Sequence, residues 1–235
     1  MNDYFIFGSV DSRNYGVQIF DYDTDDSAER VYETYEIAGR NGDLLIDSKR
    51  WMNKQHIYWG IIPTNYATNL RNFASALNAQ KGYQRLEDSL HPTEYYVANF
   101  RTPLDVVTAM QRDMGKFQIE FDRKPQRFLK SGETKVTLTA TGSITNPTEF
   151  ESYPLLRIYG TGVVGIAGKT INISAADEYT DVDCEIMEAY KGAVSKNTNV
   201  TYSSTALYSL HEGQNGITLG SGITKVEITP RWYKI

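Results

Sequence analysis

After residue 130 the sequence holds no helical period of useful length. In its place stand short apolar alternations separated by glycine, asparagine and serine turns. Residues 135–141 alternate with Val136 and Leu138 on one face, and residues 155–159, 170–174, 182–186 and 226–228 repeat the theme. Successive side chains of a strand point to opposite faces, so a period of two with turns at this spacing predicts a β-sandwich that buries one face of each strand. The first half is also strand-rich. Val17 and Ile19 share a face within residues 16–20, HIYWGII (56–62) and YYVANF (95–100) are apolar runs, and Phe117, Ile119 and Phe121 alternate with Gln118 and Glu120.

One helix interrupts the pattern. Tyr66, Leu70, Phe73 and Leu77 recur at i, i+4, i+7 and i+11 and build a single apolar stripe. This predicts a helix over about 65–81, opened by Pro63-Thr64, with Lys81 in its last turn and Gly82 at a left-handed C′ position. Residues 102–115 read two ways: Thr102-Pro103 with Asp105 suits a helix start, whereas Val106-Val107-Thr108 is β-branched. A hairpin is the preferred reading.

A length of 235 residues allows one large β domain or two of about 100–130 residues each. The boundary is expected near RKPQRFLKSGE (123–133), because Pro125 opposes a central strand and Ser131-Gly132 marks a turn. This gives an N-terminal domain at 1–130 and a C-terminal one at 131–235. The positive charges Arg123, Lys124, Arg127 and Lys130 read as a solvated connector; a phosphate- or partner-binding patch is the alternative.

Net charge is −5; residues 135–235 carry 8 Lys+Arg against 10 Asp+Glu, and residues 1–134 carry 16 against 19. Neither half is basic, which argues against a dedicated nucleic-acid or anionic-membrane surface. No stretch of about 18 apolar residues suggests a membrane span, and no basic-then-apolar start suggests a secretion signal. The single cysteine, Cys184, excludes an internal disulfide and fits synthesis in a reducing cytosol. Aromatics reach 12%, with 17 Tyr, a composition suited to half-buried sheet faces and protein contacts.

Motifs that resemble chemical sites fail on context. Residues 160–165 match GxGxxG through Gly160, Gly162 and Gly165, but a strand-like segment follows where a pyrophosphate site needs a helix. Gly168-Lys169-Thr170 lacks the earlier glycine of a phosphate loop, since Val163 occupies that position. Asp181, Asp183 and Glu185, with Glu188 beyond, alternate with Val182, Cys184 and Ile186. The simplest reading is one strand with a core face and a solvated face, although paired carboxylates can also serve glycoside hydrolysis or calcium binding. His56, His91 and His211 are scattered and form no zinc motif. Cys184 falls on the apolar face and reads as a buried core thiol. No enzyme activity is expected, and no catalytic, cofactor or metal residue is assigned.

Three segments together carry a resemblance: YEIAGRNGDLLID (35–47), NPTEFESYPLLRIYG (146–160) and EYTDVDCEIMEAYKG (178–192). The chain resembles the distal tail proteins, or baseplate hubs, of siphophages that infect Gram-positive bacteria, from YGVQIF (15–20) to KVEITPRWYKI (225–235). That family also carries a KPQRFL-like stretch where its two domains join. The resemblance implies a mainly β fold: an N-terminal, β-sandwich-like ring ("belt") domain with one helix, then a galectin-like C-terminal sandwich. It implies a structural virion protein made in the bacterial cytoplasm. Its partners would be itself in a hexameric ring, the major tail tube protein, a tail-tip protein and receptor-binding proteins, with DNA passing through the lumen and no membrane contact. The loop Gly39, Arg40, Asn41, Gly42 and Asp43, with its flanking strands, is the expected ring or partner contact; an ordinary surface hairpin is the alternative. The competing function is a carbohydrate-binding module for host-surface glycans, for which Trp51, Trp59, Trp232 and the tyrosines could supply platforms. Residues 135–210 hold no His or Trp, so the sugar motif of galectins is absent and the fold analogy does not transfer that activity.

Overall fold

The computed structural model describes residues 3–23, 27–101, 104–106 and 115–235. Two compact units divide the chain, Met1–Arg127 together with Ile235, and Phe128–Lys234. The fold is mainly β, with one α-helix among the described residues.

The first unit contains β1 (Phe5–Phe7), β2 (Val10–Asp11), β3 (Gln18–Tyr22), β4 (Arg30–Tyr35), β5 (Leu44–Trp51), β6 (Lys54–Ile62), α1 (Tyr66–Ala79), β7 (Gln84–Asp88), β8 (Glu94–Asn99), β9 (Asp105–Val106) and all but the last two residues of β10 (Gly115–Leu129). Its main sheet runs β2-β1-β7-β8-β10-β6-β3. β6 and β10 form the longest ladder, from Gly115↔Ile62 to Arg123↔Lys54. The alternation expected at 117–121 sets Phe117, Ile119 and Phe121 into the core beside Tyr58 and Ile62. Helix α1 adds Phe73 and Leu77 to that core, where the Phe73 ring lies 6.1 Å from both Phe5 and Phe117. Burial is accompanied by satisfied polar groups: the Tyr58 hydroxyl donates to Asp88 Oδ2 at 2.7 Å, and Asp88 Oδ1 accepts from the Leu90 and His91 amides.

Two expectations at the end of this unit need correction. Arg123 is not a solvated connector charge. It is 2% exposed, with its guanidinium 4.4 Å from the Tyr96 ring centroid, because it continues the inward face of Phe117, Ile119 and Phe121. Nor does Pro125 end the strand. It lies two residues past Arg123, the last residue paired with β6, where its missing N–H costs that ladder nothing. Of the hairpin expected over 102–115, β9 and Gly115 are described, β9 pairing with β10 through Phe117↔Val106; the rest lies outside the described residues.

The second unit is a sandwich. It contains β11 (Val136–Leu138), β12 (Gly142–Asn146), β13 (Leu155–Gly160), β14 (Gly162–Ile166), β15 (Lys169–Ile173), β16 (Tyr179–Asp183), β17 (Glu188–Lys191), β18 (Val194–Ser195), β19 (Val200–Tyr202), β20 (Gly213–Leu219), β21 (Ile223–Thr229) and β22 (Tyr233–Lys234). A six-stranded sheet, β11-β21-β13-β16-β17-β18, faces a five-stranded one, β12-β20-β14-β15-β19. Leu156, Ile158, Val182, Val226 and Ile228 from the first meet Ile144, Val164, Ile166, Ile171 and Ile217 from the second. The GxGxxG segment is the β14–β15 hairpin, turning at Ala167 and Gly168 with φ of 46° and 84°. Both values lie in the left-handed region that tight hairpin turns demand. Cys184 is fully buried in this core, and burial pushes its thiol up to about 12, so it is an inert packing group.

The stretch at 146–150 has a structural use. Asn146 Nδ2 donates to the carbonyls of Phe150 and Leu210, while its Oδ1 accepts from the Thr148 amide and hydroxyl. A buried amide with every bond made pins the start of this loop to a segment 64 residues away.

Candidate interface

The GRNGD loop is the tip of a hairpin that joins neither core. β4 and β5 form a two-stranded sheet of their own, and neither strand contributes to a buried core cluster. Asn41-Gly42 supplies the turn chemistry, with φ of +77° at Gly39 and +79° at Gly42. The Arg40 amide donates to the Ile37 carbonyl at 3.1 Å and closes the loop. The Arg40 side chain has no ion-pair partner among the described residues.

Register decides what the arm presents. Tyr35 pairs with Leu44 and Glu33 with Ile46, so these four share one face; Thr34 pairs with Leu45 and Tyr32 with Asp47 on the other. Both faces therefore carry large apolar side chains, beside Glu33 on one and Thr34 and Asp47 on the other, and every residue from 32 to 46 is exposed, Leu45 most of all among the large apolar ones here at 61%. A lone two-stranded hairpin is marginal in water. Contiguous exposed apolar surface of this kind is what protein contact sites commonly bury.

The base of the arm is held more firmly than its tip. Arg30 forks onto both oxygens of Asp47, and the same guanidinium lies 5.5 Å from the Trp51 ring and 5.9 Å from Tyr32. The Arg30 hydrogen bonds hold the Asp47 carboxyl below its ordinary range. A bulge between Val31 and Tyr32 places Lys49 at φ 54°, with the Lys49 amide donating to Asp47 Oδ1 at 2.8 Å. Ser48 Oγ donates to the Val31 carbonyl. The root is thus shaped and aimed, while the tip makes few contacts of its own.

The sequence expectation took in residues 39–43 and their flanking strands without naming the apolar side chains that the arm exposes, Tyr32, Tyr35, Leu44, Leu45 and Ile46. A signal was present. Leu44-Leu45-Ile46 is apolar at consecutive positions, which in a strand means apolar on both faces. The acidic row needs a correction as well. Asp181 and Asp183 are 5% and 8% exposed, each in a bidentate pair, with Arg157 and Arg231 respectively. They are not a solvated face. Glu185 and Ile186 lie in the turn after β16, and Ile186 is exposed rather than on the apolar face. His56 is buried in β6, where its ring lies 4.7 Å from Tyr58. Among the described residues no three His, Cys, Asp or Glu side chains converge to hold a metal ion. Among the described residues no helix is long and apolar enough to cross a membrane.

The fold, a helix-bearing β unit followed by a β-sandwich, is similar among solved structures to that of the Dit (gp 19.1) protein of phage SPP1, described as a paradigm of the hub adsorption apparatus in phages that infect Gram-positive bacteria. The two superpose with a TM-score of 0.75 over 100% of both chains, at 12% sequence identity. Chains of the phage P2 baseplate in its activated conformation, with calcium and with strontium, align at a TM-score of 0.48 and 10% identity. The alignments cover 97% and 96% of this chain and 97% of each of those. No protein-family model matches the sequence, and no curated protein matches it significantly. The resemblance carried by the three sequence segments therefore holds at the level of fold.

Proposed function

We propose that this chain is a structural hub protein of a phage tail, placed at the distal end of the tail tube in the virion. The observation that carries the reading is the full-length superposition on SPP1 Dit, which spans both units without remainder. In this reading residues 1–130 act as the ring-forming domain and residues 131–235 as a galectin-like domain. Six copies close into a ring, with the major tail tube protein on one side and a tail-tip protein, with receptor-binding proteins, on the other.

The chemistry of the arm supports self-association. A ring needs a heterologous interface, in which one surface of a subunit fits a different surface of the next. The β4–β5 hairpin, with Gly39, Arg40, Asn41, Gly42 and Asp43 at its tip, supplies such a surface: it has apolar faces to bury and unpaired strand edges to donate. Its tyrosines suit the mixed polar and apolar character of protein contacts. DNA would cross the lumen without a specific site, and a first half with 16 basic against 19 acidic residues would not retain it. No catalytic step is assigned.

Immunogold labelling of intact virions with an antibody against this chain tests the location. Gold at the tail tip, and absent from the capsid and the tube shaft, is the expected result. Label along the shaft, or none on virions, would end the hub reading.

A further inference from the structure

The six-stranded sheet of the second unit turns one face away from the core. Register sets Glu227, Arg157, Asp181, Tyr190 and Ser195 in a single cross-strand row on that face. Three tyrosines stand on it, and two are capped. Lys225 lies 3.9 Å from the Tyr159 ring centroid, and Arg157 and Lys191 lie 4.1 Å and 5.0 Å from that of Tyr179. Tyr190 has no ring or cation over it among the described residues. It lines a groove of about 360 Å³ with Glu188, Ser195 and Asn197, around the small residues Gly192 and Ala193.

The polar groups of this groove are equally unspent. Asn197 Oδ1 accepts from the Ala189 amide at 2.6 Å, which fixes the side chain and leaves its Nδ2 hydrogens to donate elsewhere. Glu188 is exposed and makes no ion pair among the described residues. No Lys, Arg or His lines the groove. Beneath it, Arg157 grips Asp181 at 2.7 and 2.9 Å, and Arg231 grips Asp183 at 2.8 Å through each nitrogen. These two forks brace β16, the strand on which Tyr190 pairs.

We propose that this groove binds a neutral saccharide, with Tyr190 as the stacking platform, Glu188 accepting from a pair of adjacent sugar hydroxyls, and Asn197 donating to a sugar oxygen. A pyranose has one apolar C–H face and a polar edge, and the groove offers a bare aromatic face beside one anionic acceptor and one amide donor. An anionic ligand would meet the uncompensated Glu188 with no cation to receive it. The inference concerns the second unit alone and does not rest on the hub reading.

Saturation-transfer NMR on the full chain tests it, with glucose, galactose, N-acetylglucosamine and rhamnose as neutral probes and inorganic phosphate as the charged comparator. At least one neutral sugar is expected to bind with a Kd on the order of millimolar, while phosphate does not. Tyr190→Ala should weaken that binding at least about tenfold. Glu188→Gln alters only an exposed side chain, so it should keep the circular dichroism spectrum of the parent and still weaken binding about tenfold. Transfer to dextran as well as glucose would place the sugar within a polysaccharide, and transfer to glucose alone would make it a free monosaccharide; either supports the groove. The proposal is overturned by silence from all four sugars, by preferential phosphate binding, or by sugar affinity unchanged in Glu188→Gln.

Discussion

Trp232 lies in the core cluster of the second unit, and the chain around it is tightly drawn. The Leu129 amide donates to the Trp232 carbonyl at 2.9 Å, and the Arg231 amide donates to the Gly132 carbonyl at 2.8 Å. A Cβ on Gly132 would stand 2.3 Å from the Trp232 nitrogen, so no side chain fits there without moving backbone. Trp232→Ala should cost about 3–5 kcal/mol, read from the urea midpoint. Gly132→Ala should cost about 1–3 kcal/mol by overpacking; an unchanged midpoint for either variant would remove Trp232 as the anchor of the chain end. The Asp183–Arg231 fork adds a pH signature. Burial raises the Asp183 carboxyl, but the hydrogen bonds and charge of Arg231 outweigh it and hold the group below its ordinary value. A depressed folded value contributes stability above the unfolded Asp value of about 3.9, lost as pH falls through the folded one. The urea midpoint should therefore drop below about pH 4, and Asp183→Asn should lower it at neutral pH and flatten the acid fall. An acid limb as steep as the parent's would refute the assignment. Sequence reasoning put this aspartate and Asp181 in solvent, because alternation identifies a face but not what covers it. The covering arginines come from 24 and 48 residues away.

Among the elements, those governed by local periodicity were legible. The stripe from Tyr66 to Leu77 predicted a helix at 65–81, and α1 runs Tyr66–Ala79. Its ends were less legible: Asn65 adopts φ 49° without a side-chain cap, and Gln80, not a residue next to Gly82, is the C-cap. β10 passes Pro125 because the β6 ladder has already ended, which only pairing partners reveal. The β4–β5 arm was legible at its tip, where Asn-Gly has a fixed meaning, but not in its isolation from both sheets. That isolation yields a clean separation of effects. Leu45→Ser with Ile46→Ser removes exposed apolar surface, so the monomer should keep its stability within about 0.5 kcal/mol while self-association is lost. Arg40→Glu at the tip should weaken association in the same direction. Assembly that survives the Leu45/Ile46 double change, as measured by sedimentation, would make the arm an ordinary surface hairpin.

At the scale of the molecule, length permitted one domain or two, and the chain forms two units, each with a core of its own. That a sandwich occupies the second half was readable from strand spacing. What the protein is for was not, because the motifs that resemble chemical sites fail on context; the pointer was a resemblance in three segments, and the fold agrees with it. A hub built by self-association is the central claim, and the solution mass of the purified protein by multi-angle light scattering tests it most directly. A peak corresponding to six copies of the 26.6 kDa chain, resolved as rings in negative stain, is the expected result. A peak at the mass of a single chain at every concentration would contradict it.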